Sequence, residues 1–120
     1  VMVRAVMTAV ESLRMNLTEQ RCSVDAVLTK PGYGTFTEAA CNGTAVLYTR
    51  RKNWAEQDCL IDWLHKNARC CEISESNLLS GQIEDALTTV WQQTAPPRSL
   101  PSGNEEAAHF LANWLNQRSA

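Results

Sequence analysis

Thr35-Phe36-Thr37-Glu38-Ala39-Ala40-Cys41-Asn42-Gly43-Thr44-Ala45-Val46-Leu47-Tyr48-Thr49 can be folded in two ways. Asn42-Gly43 is a favoured central pair for a type I′ turn, because both residues tolerate positive φ. On that reading 35–41 and 44–49 are the arms of a hairpin. The second arm, rich in β-branched and aromatic residues, is a good strand; the first, with Glu38, Ala39 and Ala40, is a mediocre one. The competing reading makes Thr37–Asn42 a short helix closed by Gly43. The hairpin is the expectation adopted, within a mainly α domain of four to five helices.

Outward from this stretch, helical patterns dominate. Val3, Val6, Val10, Leu13 and Leu17 recur at helical spacing, and Thr18-Glu19-Gln20 offers a further helix start. Cys22–Leu28 fits helix and strand equally, and Lys30-Pro31-Gly32 breaks the chain. Downstream, Asn53-Trp54-Ala55-Glu56 reads as a capping box opening a helix to about Ala68. Its stripe is Leu60, Ile61, Leu64 and Ala68, edged by Trp54 and Trp63, with Asp58, Asp62 and Lys66 on the wet face. After a polar connection, Leu79, Ile83, Ala86, Leu87, Val90 and Trp91 mark the next helix. The proline-rich segment 94–103 reads as a linker, and Asn104 caps a last helix with Ala107, Phe110, Leu111, Trp114 and Leu115 on one face.

These patterns divide the chain into a helical core domain over 1–93, a linker over 94–103 and a C-terminal docking helix over 104–120. The expected core is Val6, Val10, Leu13, Leu60, Leu64, Ile83, Leu87, Val90, Phe110 and Trp114.

A formal net charge of −2 gives no general attraction to nucleic acid or anionic lipid. No apolar run approaches the length needed to cross a bilayer, so no membrane is expected. The N-terminus lacks the basic and apolar regions of a signal peptide. Five cysteines, an odd number that includes the adjacent pair Cys70-Cys71, do not make a disulfide framework. They fit a reducing compartment, and a cytoplasmic location is expected. The sequons Asn16-Leu17-Thr18 and Asn42-Gly43-Thr44 are read as chance matches.

Cys59, His65, Cys70 and Cys71 supply four potential zinc ligands within one stretch. Helical geometry works against them: residues 59 and 65 on one helix point about 120° apart and are separated by ~9 Å along the axis. A small zinc-binding protein is therefore an alternative and not the expectation, and no cofactor is expected. No thiol is placed beside His65 or His109 as a nucleophile would require. No glycine-rich phosphate loop, Gly-x-Ser-x-Gly elbow or His-Glu-x-x-His motif is read in the chain, so the expectation is not an enzyme.

The apolar rhythm of Leu60–Leu64, Ile73, Leu78-Leu79, Ile83, Leu87 and Val90 is similar to that of a helix-turn-helix or winged-helix regulator. That makes a DNA-binding regulator a second alternative, with Arg50, Arg51 and Lys52 as its cationic run. The recognition-helix position carries Glu84 and Asp85 and no cation, which disfavours it. Direct protein contact is the main expectation: a non-enzymatic regulator, inhibitor or adaptor, also able to form a homodimer. Phe110, Trp114, Trp63 and Trp91 are its candidate partner-binding residues.

Overall fold

The computed structural model describes residues 14–119. Val3, Val6, Val10 and Leu13, and the helix expected from them, lie outside the described residues. Helix α1 (Leu17–Cys22) opens on an Asn16 capping box closed by Glu19. The chain then alternates: β1 (Ala26–Thr29), α2 (Tyr33–Asn42), β2 (Ala45–Tyr48), α3 (Gln57–Asn67), β3 (Cys70–Glu72). Helices α4 (Glu75–Ser80), α5 (Glu84–Gln92) and α6 (Gly103–Arg118) follow. The strong helical content is as expected; the sheet is not.

All three strands are parallel, in the order β1-β2-β3. Ala26 pairs with Ala45, and Val46 with Cys70. A parallel sheet must be covered on both faces, so its central strand reads as a continuous apolar run. Ala45, Val46, Leu47 and Tyr48 are all buried. Val46 and Tyr48 face one layer with Phe36, Ala40, Leu60, Ile61 and Leu64. Ala45 and Leu47 face the opposite layer with Ile73 and Val90, edged by Ile83 and Leu87. Both crossover helices, α2 and α3, lie on the first face, as two crossovers of one hand in a sequential strand order require.

The hairpin expected over 35–49 is therefore overturned. Gly43 is left-handed (φ 72°), but Asn42 ends a helix and is not the partner residue of a type I′ turn. The Gly43 N–H donates to Ala40 and the Thr44 N–H to Ala39, a Schellman closure that satisfies the last carbonyls of α2. The strand arm then finds its partner in β1, the segment that fitted helix and strand equally.

Two helix boundaries also move. Asn53 has a left-handed backbone (φ 57°), whereas a capping residue needs an extended one. Helix α3 accordingly starts at Gln57, and Glu56 accepts instead from the Tyr33 hydroxyl. The helix expected to carry both Leu79 and Val90 is two helices, broken by a second left-handed glycine, Gly81. Leu79 is exposed and Val90 is fully buried.

Residues 94–102 carry no regular structure. No residue of α6 is buried among the described residues. Phe110 is 69% exposed and Trp114 44%, so their expected place in the core is overturned. Leu60, Leu64 and Val90 are buried as expected. No helix among the described residues is long and apolar enough to cross a membrane.

Candidate functional site

In an open parallel sheet the strands all end on one side, and the loops that leave them converge there. Here that carboxyl edge carries Lys30-Pro31-Gly32 after β1, Arg50-Arg51-Lys52-Asn53 after β2 and Ile73-Ser74 after β3.

The first of these loops is an abrupt strand-to-helix turn. Pro31 has no N–H and is fully buried. Gly32 is the N-cap of α2 and supplies no side chain to it. The helical bonds begin at Phe36, whose N–H donates to Gly32 at 3.0 Å. The amides of Tyr33, Gly34 and Thr35, at the positive end of the helix, thus have no hydrogen-bond partner among the described residues. Neither glycine is demanded by its backbone: Gly32 is extended, with φ −165°, and Gly34 is helical. A Cβ at Gly34 would meet nothing within 4 Å. Glycine there costs helix stability and brings no internal packing, so what it provides is bare backbone facing open space.

The second loop is held against the first by aromatic contacts. Tyr33 lies edge-on to Trp54 with ring centroids 5.9 Å apart, and its hydroxyl donates to Glu56 at 2.6 Å. That carboxylate bond holds the Tyr33 hydroxyl pKa above its usual value. The Arg51 guanidinium sits 4.9 Å over the Trp54 ring, while its backbone N–H donates to Gln57 and its carbonyl accepts from Gln57.

Arg50 has a different task. It donates to Asp58 in the first turn of α3 and to Glu72 at the end of β3, and these two carboxylates raise its pKa further. Arg50 is thereby neutralised as a binding cation and stitches the second loop to the third. Lys30, Arg51 and Lys52 make no ion pair among the described residues.

The four potential zinc ligands are not brought together. Cys59 is exposed on α3, and His65 on the same helix contacts the Tyr48 hydroxyl at 2.9 Å. Cys70 belongs to the layer under α2 and α3, and Cys71 to the layer on the other side of the sheet. Burial pushes the Cys70 thiol up to about 12, with the neighbouring Cys71 adding to it. Such a thiol stays protonated at neutral pH.

The four aromatic candidates for partner binding also separate. Trp63 is partly buried against the α2/α3 core. Trp91 is exposed on α5 with Arg69 stacked 5.2 Å over its ring. Phe110 and Trp114 are both exposed, one turn apart on α6. The segment Leu60–Val90, whose rhythm is similar to a helix-turn-helix regulator, is α3, β3, α4 and α5, with a sheet strand at its middle.

Sequence reasoning missed Gly32, Tyr33, Gly34 and Thr35. Lys30-Pro31-Gly32 was legible as a chain break, and Gly-x-Gly alone is a weak signal. It gains meaning only with a parallel strand before it and a helix after it. No protein-family model, curated protein or solved structure matched the chain.

Proposed function

We propose that this chain is a ligand-binding α/β module that takes a phosphate-bearing anion at the carboxyl edge of its sheet. The observation that carries this reading is the Tyr33–Trp54 contact, which sets the bare Gly32–Thr35 turn beside the loop of Arg51 and Lys52. Unpaired helix amides suit the oxygens of a phosphate group, and the axial dipole favours negative charge there. Lys30, Arg51 and Lys52 add positive charge at the same edge, in a chain whose overall charge is negative. The open space before Gly34 allows the close backbone approach that such a ligand needs. The reading is one of binding and assigns no reaction. A cytoplasmic location belongs to the same proposal, supported by the five free cysteines.

Calorimetric titration with inorganic pyrophosphate tests it. Binding that weakens with salt, and is lost in Gly34→Val and in the double variant Arg51→Glu, Lys52→Glu, is the expected result. Unchanged binding in both variants would place the anion elsewhere and end the proposal.

A second reading has its own support. The exposed Phe110, Leu111, Trp114 and Leu115 form a contiguous apolar face on α6, the kind of surface that marks protein contact. Contact through α6, with a partner protein or a second copy, is compatible with ligand binding at the sheet edge. Weakened association in Phe110→Ser tests that reading.

A further inference from the structure

A groove of about 1120 Å³ opens between α2, α3 and the segment leading into α6. Leu60, Trp63, Leu100 and Cys41 give it an apolar floor, and Glu38 and Glu106 stand at its wall. Among the described residues, no lysine or arginine lines it. Glu38 is engaged by Arg21 at 2.7 Å, whereas among the described residues Glu106 accepts only from the Ser102 hydroxyl at 2.8 Å. Helix α6 starts at this groove, since Gly103 and Glu106 belong to its lining. The helix then runs 16 residues, about 24 Å, with its apolar face uncovered among the described residues. Its last turn carries one cation, Arg118, stacked 4.4 Å over Trp114.

We propose that two copies of this chain pair through α6 in antiparallel fashion, the last turn of each α6 lying against the groove at the base of the other. The order of residues along the helix is the reason. Glu106, Phe110, Trp114 and Arg118 follow one another at four-residue spacing, so they share one ridge of the helix. Ala112 lies midway between Glu106 and Arg118, and also midway between Phe110 and Trp114. A two-fold axis at the level of Ala112, on the Phe110/Trp114 side of the helix, therefore sets each Arg118 against the Glu106 of the second copy and each Phe110 against the Trp114 of the second copy. One register satisfies charge and apolar contact together, and a two-fold pairing makes it self-complementary. The groove, whose Glu106 makes no ion pair among the described residues, receives the Arg118 guanidinium from the last turn of the second helix. Charge complementarity of this kind fixes register and orientation. The inference rests on the reading of α6 as a contact surface and is independent of the anion site.

Sedimentation velocity over a range of concentrations, with folding checked by circular dichroism, tests it. The native chain is expected to show a monomer–dimer equilibrium. Glu106→Arg alone and Arg118→Glu alone each place like charges together and weaken the dimer by about tenfold or more. The double variant restores it, which loss of folding cannot imitate. A monomer at every concentration overturns self-pairing, while the contact reading survives if Phe110→Ser still weakens association with a different protein. A dimer indifferent to both charge variants and to Phe110→Ser overturns self-pairing through α6 and the contact reading together.

Discussion

Cys70 and Cys71 are neighbours in the chain and face opposite layers of the protein. Cys70 sits with Tyr48 and Leu64 beneath the crossover helices, and Cys71 packs toward Val90 and Leu87 beneath α5. Alternation along a strand makes this unavoidable once 70–72 joins the sheet. Thiol titration should therefore resolve three groups. Cys22 and Cys59 are exposed and react first; Cys41 and Cys71 are half-buried and react more slowly. Cys70 should react only on unfolding, because its thiol is both buried and pushed up to about 12. Mass mapping of a timed alkylation reads the order directly.

Alkaline stability follows from the same layer. Burial first, and then the Glu72 carboxylate, push the Tyr48 hydroxyl up to about 12 from its ordinary value of 10.0. The Cys70 thiol rises to about 12 from 9.0. Both groups are neutral in either state below the unfolded value, so their contribution is intact there. As pH rises the unfolded chain loses these protons first, and stability falls through the window from 9 to 12. Each proton tilts the balance by about 1.4 kcal/mol per pH unit. Denaturant midpoints measured across that window should decline, and Tyr48→Phe should flatten the part above pH 10.

The two layers depend on different residues. Leu64 and Val90 are both fully buried, on opposite faces of the sheet. Leu64→Ala should cost about 3 kcal/mol through lost transfer energy and the cavity left behind, and Val90→Ala somewhat less. Because the sheet separates the sites, the double variant should show additive losses. Urea unfolding of the two single variants and the double variant checks both statements.

Gly34 should separate stability from binding. Its site is helical, open and free of steric contact, so Gly34→Ala should stabilise the chain by about 0.4–1 kcal/mol. The added methyl group replaces bare backbone in the turn proposed to receive phosphate oxygens, so pyrophosphate affinity should fall in the same variant. Thermal melts and calorimetric titration of one protein preparation read both effects.

Much of the helical framework was legible in the sequence because it rests on local chemistry. The Leu60-Ile61-Leu64 stripe declares α3, and Gly43 declares the end of α2 as soon as it is read as a cap. The sheet was not legible, since Ala45–Tyr48 looks the same whether its partner is the segment before it or one that lies a helix away. Asn42-Gly43 favours a hairpin by local preference, and burial of a four-residue apolar strand on both faces overrides that preference. The candidate site was hidden for the same reason. Gly32-Tyr33-Gly34 becomes a candidate site only when β1 stands before it and the loop of Arg51 and Lys52 is folded beside it through Trp54. By contrast, the amphipathic face of α6 was legible from Phe110 and Trp114, but the same residues were wrongly placed in the core, since both are exposed.

The binding of an anion at the carboxyl edge is most directly tested by amide chemical-shift mapping of the uniformly nitrogen-15-labelled chain titrated with inorganic pyrophosphate. Saturable shifts centred on the Tyr33, Gly34 and Thr35 amides, with smaller ones at Arg51 and Lys52, are the expected result. Shifts confined to other parts of the chain, or none at the Gly32–Thr35 turn under saturating pyrophosphate, would contradict it.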